Sequence, residues 1–571
     1  MAWKESAKQW EDFKDLDQPL KDLLVNMSDE EKMDAFYAAL EFGTAGMRGV
    51  VGPGINRMNR YTIRQANEGL ALFMEAAGLE AKERGVAIAY DSRHFSPEFA
   101  MESALTLAKH GIPSYVFESL RPTPELSFAV RHLNTFTGVM ITASHNPSDY
   151  NGYKVYGQDG GQMPPQDADA LTAFVRSVEN PLEVEVLNLE EAKAAGLIHM
   201  IGQEVDKAYL EEIKSVTINP DLLQESKDLV VVYTPLHGTG EMLSKASLEQ
   251  AGFTGLRIVE EQAVPDGDFT TVKSPNPEEP GAFEYAIKLG KETEADLLLA
   301  TDPDADRLGA AVRLPDGNYQ VITGNQIAAL LLDYILYARK ESGQLPRNSA
   351  AVKSIVSSEL PTAIAKAYGV EMIDVLTGFK FIAEQIKQYE ETGQHTFVFG
   401  FEESYGFLVK PFVRDKDAIQ AVLLLTEVAA HFKNQGRTLY DGLQDLYKKY
   451  GYFTEKTISI TIPGVEGAAK IKALMAQLRA DAPKEFGGLK VALTQDFANQ
   501  TQTDANDVMT PIPLPSSDVL KYILEDGSWV AARPSGTEPK IKFYMGIQGD
   551  SQEAVAEKLA KIQADIELFT K

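Results

Sequence analysis

One arrangement of elements occurs three times along this chain, and it restricts the fold more than any other feature of the sequence. The stretch "GVAIAYDSR" (85–93) reads as a strand, "SPEFAMESALTLAKHG" (96–111) as a Ser-capped helix closed by Gly, and "IPSYVFESL" as a strand. "TPELSFAVRHLN" reads as a helix and "FTGVMITASHNP" as a strand that runs into a polar loop. The same βαβαβ order returns from "DLVVVYTPLHG" to "ADLLLATDPDADR", and again from "SAAVKSIVSS" to "HTFVFGFEESYG". Alternation of this kind predicts open, mostly parallel sheets with helices on both faces. Such sheets place their chemistry just beyond the carboxyl ends of strands. The third strand of each repeat ends in such a loop.

The last part of the chain breaks the pattern. "KVALTQDFA", "VLKYILED", "SWVAARPSGTEPKIKFYMGI" and a final helix "SQEAVAEKLAKIQADIELFT" predict a small α+β domain with an antiparallel sheet. The fold class expected is therefore α/β. Three similar doubly wound βαβαβ domains with mixed or parallel sheets precede a C-terminal α+β domain. The boundaries read as 1–205, 206–325, 326–450 and 451–571. Four domains suit 571 residues, because one hydrophobic core rarely organises more than about 200.

Composition excludes several functions. There are no cysteines, so disulfides, thiolate catalysis, zinc–sulfur sites and iron–sulfur clusters are absent. The formal net charge of −28 argues against binding nucleic acid or an anionic membrane surface. The N-terminus "MAWKESAKQWEDFKD" has no apolar signal core. The best apolar run, "AIQAVLLLTEVAAHF", is interrupted by Gln, Thr and Glu. A cytoplasmic soluble protein is expected. An anionic small substrate then requires local cations inside a cleft.

The strand-end loops carry the candidate chemistry. In "DPDADR", Asp302, Asp304 and Asp306 alternate directly after an apolar strand. Three crowded carboxylates repel one another unless a cation lies among them, and oxygen-only donors suit Mg²⁺, Mn²⁺ or Ca²⁺. An EF-hand is excluded, since Arg307 and Arg313 stand where its Gly and Glu belong. "RPSGTEPK" offers Arg533 as a fork, with Ser535, Gly536 and Thr537 as a hydroxyl- and amide-rich turn that suits a phosphate. "GFEESYGF" holds Glu402 and Glu403, which point to opposite sides of an extended chain and so do not face one glycosidic bond together. "TASHNPSDYNGYKVY" holds Ser144 beside His145, with Lys154 ten residues on. Arg48, Arg307, Lys380, Arg414 and Lys416 lie in further Gly-rich or strand-end loops and answer the demand for local cations. Read singly, each of these is an ordinary solvated turn or surface charge.

Read in order, "TASHNP", "DPDADR", the "EES" loop and "RPSGTEP" resemble the loops of the α-D-phosphohexomutase family, one per domain, from about residue 40 to the end. The resemblance implies four domains around a central cleft and a phosphoserine enzyme. It implies interconversion of glucose 1-phosphate and glucose 6-phosphate through glucose 1,6-bisphosphate, which also acts as activator. Phe401 and Tyr405 stand where many members have glycine. This loop resembles a branch that includes enzymes acting on pentose phosphates or making glucose 1,6-bisphosphate. Pentose or mannose phosphate mutation, or bisphosphate synthesis, is the alternative within the same chemistry. The residues implied as catalytic are Ser144, His145, Lys154, Arg48, Arg307 and Lys380. Those implied to hold Mg²⁺ are Ser144, Asp302, Asp304 and Asp306. Thr377, Gly378, Glu402, Ser404, Arg414, Lys416, Arg533, Ser535, Gly536 and Thr537 are implied to bind the sugar phosphate.

Overall fold

Each repeat read from the sequence folds as parallel strands under helices, and the first two add a strand that turns back. The computed structural model describes residues 2–41, 46–462, 467–535 and 540–569. The chain divides into two units, Met1–Ile322 with Tyr405–Gly436, and Thr323–Ser404 with Arg437–Lys571.

In the first unit, Val86–Tyr90 lies between Ser114–Phe117 and Thr137–Ile141, parallel to both. Tyr150–Tyr156 returns antiparallel to Thr137–Ile141, and Met47–Val50 and Ile198–Ile201 close the two edges. The second sheet repeats the device. Leu297–Thr301 is parallel to Val231–Thr234, and Leu308–Arg313 returns antiparallel to it. A strand buried on both faces reads as an apolar run, as "VAIAY" and "LLLAT" do. The helix Arg60–Ala77 is capped by Asn59, whose side chain accepts from the amides of Tyr61 and Thr62. Gly69 on this helix lets Pro165–Ser177 approach, since a Cβ there would lie 2.5 Å from Val175.

Helix Ser96–Lys109 differs from the expectation of a Ser cap. Its cap residue is Phe95, and the Ser96 hydroxyl donates to Asp91 Oδ1 at 2.8 Å. The buried carboxylate is the stronger acceptor and takes the hydroxyl away from the helix end. The acidic N-terminal region folds as helices Ala2–Asp12, Gln18–Asn26 and Asp29–Phe36. It docks through Trp10, which meets Phe36 and Tyr61 edge-on.

The segment Tyr405–Gly436 is grouped with the first unit. Its helix Ala418–Lys433 is apolar around most of its circumference and buried from Ala418 to Ala430. Such a helix must be covered on all sides. It packs on helices Pro220–Glu225 and Gly240–Gln250 and on strands Leu297–Thr301 and Leu308–Arg313.

In the second unit, Ser349–Ser354 is parallel to both Glu371–Val375 and Thr396–Glu402. The C-terminal sheet is antiparallel, in the order Tyr452–Thr461, Lys540–Gly549, Trp529–Pro534, Leu520–Leu524, Leu489–Asp496, Thr501–Asp504, Met509–Pro511. Helices Gly467–Ala480 and Gln552–Leu568 cover it with Ile471, Met475, Leu478 and Ile562 over Val530 and Phe543. Among the described residues, no helix is long and apolar enough to cross a membrane.

Candidate active site

The hairpin turns that carry Ser144 and Ala305 are too tight for ordinary backbone. Ser144, three residues past its strand, has φ +52°, and Ala305, inside "DPDADR", has φ +49°. Left-handed backbone at residues with a Cβ costs about 1–3 kcal/mol each. Thr142 Oγ1 holds the first turn by accepting the Ser144 amide at 2.8 Å, and Ala305 donates to the Asp302 carbonyl at 2.9 Å in the second.

The turns meet. Ser144 Oγ donates to Asp302 Oδ2 at 2.7 Å and lies 3.2 Å from His145 Nδ1. Asp302, Asp304 and Asp306 are all buried, with ligand oxygens within 4.8 Å of one another. Lys154, carried in by the returning strand opposite Met140, places Nζ 2.9 Å from Asp304 Oδ2 and 3.8 Å from Asp306 Oδ2. Lys416 Nζ lies 3.1 Å from Asp306 Oδ2 and 3.0 Å from Asp415 Oδ1. Thr123, at the start of its helix, donates its hydroxyl to Asp304 Oδ2 and its amide to the Asp304 carbonyl, both at 2.9 Å. Two carboxylate oxygens, Asp304 Oδ1 and Asp306 Oδ1, are buried with no hydrogen-bond partner among the described residues. Oxygen donors of this number, spacing and orphaned state fit a hard divalent cation.

Burial, then Asp304 and Asp306, push the Asp302 carboxyl well above the usual carboxylate range. Burial acts on Asp304 in the same direction, but the Lys154 ammonium and hydrogen bonds from Asp302, Lys154 and Thr123 outweigh it and hold this carboxyl below its ordinary value. His145 is pushed well below the ordinary imidazole value by burial, then by Arg307 and Arg48. Its ring is therefore neutral near pH 7, and its Nδ1 beside Ser144 can serve as donor or acceptor according to tautomer.

Three of the cations sit differently from a simple phosphate ligand. Arg307 donates Nη1 to Glu278 Oε1 at 2.7 Å while its amide donates to Asp302 Oδ1 at 3.0 Å. Arg48 is exposed, 3.4 Å from Asn146 Oδ1. Arg414 is 1% exposed and donates to the carbonyls of Pro411 and Val413. It thus holds the shape of its own loop.

The second unit gathers the remaining loops. Glu402 Oε1 accepts the Gly378 amide at 2.8 Å, which joins the "TGFK" turn to the "FEES" strand end. Thr377 is half-buried, and its hydroxyl is buried with no hydrogen-bond partner among the described residues. Lys380 is buried with Nζ 5.2 Å from the Phe381 ring. Glu403 turns away and accepts from Ser354 and Ser357 at 2.8 and 3.2 Å, while Ser404 is half-buried. Arg533 ends its strand opposite Lys542 and hydrogen-bonds Tyr544, whose hydroxyl is pushed up to about 12 by burial and then by Glu403. The Ser535 amide donates to the Lys540 carbonyl at 2.7 Å. Gly536 and Thr537 lie outside the described residues.

Sequence reasoning missed Arg93. It is 1% exposed, and its guanidinium donates to the carbonyls of Ser144, Asn146, Pro147 and Tyr150 at 2.5–3.0 Å. It also pairs with buried Asp91, Nε to Oδ2, at 3.4 Å. The usable signal was its address, one more strand-end loop in the same sheet. Arg93→Ala is expected to destabilise the protein by about 3–5 kcal/mol, since it leaves a buried carboxylate alone. Urea unfolding measures this, and a change within experimental scatter would contradict the clamp.

Comparison with known proteins places this geometry. Four successive family models match: phosphoglucomutase/phosphomannomutase alpha/beta/alpha domains I, II and III over residues 39–181, 207–315 and 323–450, and the C-terminal domain over 470–564. The chain is 42% identical over 546 residues to a phosphoglucomutase of Staphylococcus epidermidis, covering 95% of this chain and 97% of that one. It is 41% identical over 544 residues to a phosphoglucomutase of Staphylococcus aureus, covering 95% and 96%. The crystal structure of a putative phosphomannomutase from Thermus thermophilus superposes with a TM-score of 0.67 at 25% identity, covering 93% of this chain and 99% of that one. The chain belongs to the phosphoglucomutase/phosphomannomutase family.

Proposed function

We propose that this chain is a phosphoglucomutase that interconverts glucose 1-phosphate and glucose 6-phosphate, with Ser144 as the carrier of the transferred phosphoryl group. The observation that carries this is the 2.7 Å contact of Ser144 Oγ with Asp302 inside a buried three-carboxylate cluster. The 42% identity to a phosphoglucomutase over nearly the whole chain supports the choice of substrate. The chain's four segments are proposed to divide the work as serine, metal, sugar and phosphate domains. We infer further that the protein acts as a soluble cytoplasmic enzyme on small sugar phosphates.

In this reading, Ser144 Oγ releases its phosphoryl group to the free hydroxyl of the sugar phosphate and recovers a proton. The second phosphate of the resulting bisphosphate then returns to Oγ, and glucose 1,6-bisphosphate supplied from outside primes the serine as an activator. Phosphoryl transfer needs position and charge stabilisation more than covalent assistance. Asp302, Asp304 and Asp306, with an oxygen on Ser144, would hold a divalent cation such as Mg²⁺. Such an ion supplies charge neutralisation at the phosphoryl oxygens when bound. Lys154 sits among the same carboxylates, and Arg307 and Arg48 add positive charge at the edge. Lys416 is assigned to Asp306 and Asp415 rather than to the sugar.

Neutral His145 can exchange a proton with Ser144 Oγ at 3.2 Å, and Lys380 is the second candidate for proton transfer. Glu402, Ser404, Thr377 and Gly378 are proposed to read the sugar hydroxyls. Arg533, Ser535, Gly536 and Thr537 are proposed to hold the phosphate that is not reacting. Ser144 is 2% exposed, which keeps water from the carrier and favours transfer over hydrolysis.

A substrate panel tests the assignment. With Mg²⁺ and a trace of glucose 1,6-bisphosphate, glucose 1-phosphate is expected to exceed mannose, glucosamine and ribose 1-phosphates in kcat/KM by about tenfold or more. Preference for ribose 1-phosphate would overturn the substrate while leaving the phosphoryl chemistry standing.

A further inference from the structure

A charged cluster in the second unit has no part in the proposed reaction. A cavity of about 390 Å³ opens between helix Leu360–Ala367, strand Tyr452–Thr461 and the C-terminal strands Leu520–Leu524 and Trp529–Pro534. That volume is within the usual range for small-molecule sites. Phe453 and Trp529 give it aromatic walls, and Lys521, Lys366, Thr362 and Glu359 give it polar ones.

Lys521 is the unusual member. It is 3% exposed, and its Nζ donates to the Ile355 carbonyl at 2.7 Å and lies 4.6 Å from the Trp529 ring centroid. The charged groups facing it are Lys353, Asp374 and Glu359. Both carboxylates are bound to Lys353 Nζ, each at 3.0 Å. Among the described residues, Lys521 therefore has no ion pair of its own. Burial, followed by Lys353, brings its pKa down to about 8, so it still carries most of its charge at neutral pH. A buried ammonium is costly, and two carboxylates shared with Lys353, a carbonyl and a ring face compensate it only in part. Lys521 lines the cavity, where an anion would complete that compensation. Lys366, exposed at the rim, adds a second positive charge on the same side as Thr362.

We propose that this cavity is a second ligand site, which takes the oxyanion group of a small metabolite, a phosphate or a carboxylate, on Lys521 and Lys366. Its walls come from the third repeat and from the C-terminal sheet, so a bound anion ties the two together. The site is independent of the reaction proposed above.

The test follows tryptophan emission of the full-length protein during titration with inorganic phosphate and, separately, with malonate. Trp529 forms the wall beside Lys521, whereas Trp3 and Trp10 lie in the N-terminal helix. The wild-type protein is expected to show a saturable change with at least one of the two anions, and the anion that gives it identifies the ligand class. Lys521→Gln keeps a donor for Ile355 but removes the charge, and it is expected to weaken the response by about tenfold or more. Lys366→Ala, at an exposed position that leaves folding intact, is expected to weaken it about threefold. Retention of wild-type affinity by both variants, or no saturable response to either anion, would overturn the proposal.

Discussion

Ser144→Ala is expected to lower kcat for glucose 1-phosphate by about 10⁴-fold or more, which is ~5.4 kcal/mol on the barrier. The phosphoryl group then has no carrier, and among the described residues no other hydroxyl is bonded to Asp302. His145 is a neutral ring at 3.2 Å, and Thr142 Oγ1 already accepts the Ser144 amide. The substitution should leave the fold intact, because Ala305 adopts nearly the same left-handed backbone in the adjoining loop, φ +49° against +52°. Two measurements check this. Intact mass of the wild-type protein after incubation with glucose 1,6-bisphosphate should reveal a species one phosphoryl group heavier, and the variant should lack it. Turnover within about tenfold of wild type would refute the carrier role.

The sequence exposed the chemistry at positions where residue types that are costly to crowd were crowded. Asp302, Asp304 and Asp306 within five residues could be read because mutual repulsion has few remedies other than a cation. The repeats were legible because alternation between periods of two and 3.6 residues survives without any tertiary information. What escaped notice depends on contacts between distant positions. Arg93 looks like any arginine after a strand, and only folding sets its guanidinium against four carbonyls more than fifty residues away. Lys416 has the composition of a substrate ligand, yet its register puts it between Asp306 and Asp415. The helix Ala418–Lys433 follows the third repeat in sequence but joins the first unit. Its apolarity says that it must be covered, not by what.

Asp302→Asn and Asp304→Asn are expected to move the stability of the chelator-treated protein in opposite directions while both lower turnover by about 10³-fold. The two residues belong to one cluster, but their partners differ. Asp302 accepts from the Ser144 hydroxyl and the Arg307 amide, and among the described residues no ammonium is bonded to it. Its ionised form is opposed in the folded protein by burial and by Asp304 and Asp306. Asparagine keeps an acceptor there and removes the repulsion, so unfolding free energy should rise by ~1 kcal/mol. Asp304 is bonded to Lys154 at 2.9 Å, with Lys154 itself 2% exposed. Its neutralisation leaves this buried ammonium only Asp306, 3.8 Å away, and a loss of about 3 kcal/mol is expected. Urea unfolding in the presence of a chelator separates the two signs, and turnover with Mg²⁺ restored measures the shared functional loss. If both variants were destabilised alike, the carboxylates would be acting as structural partners rather than as a charge excess held for a cation. If the signs divide as expected, Asp302 is the residue whose presence lowers the stability of the metal-free fold, and a bound divalent ion beside Ser144 is what makes its retention favourable.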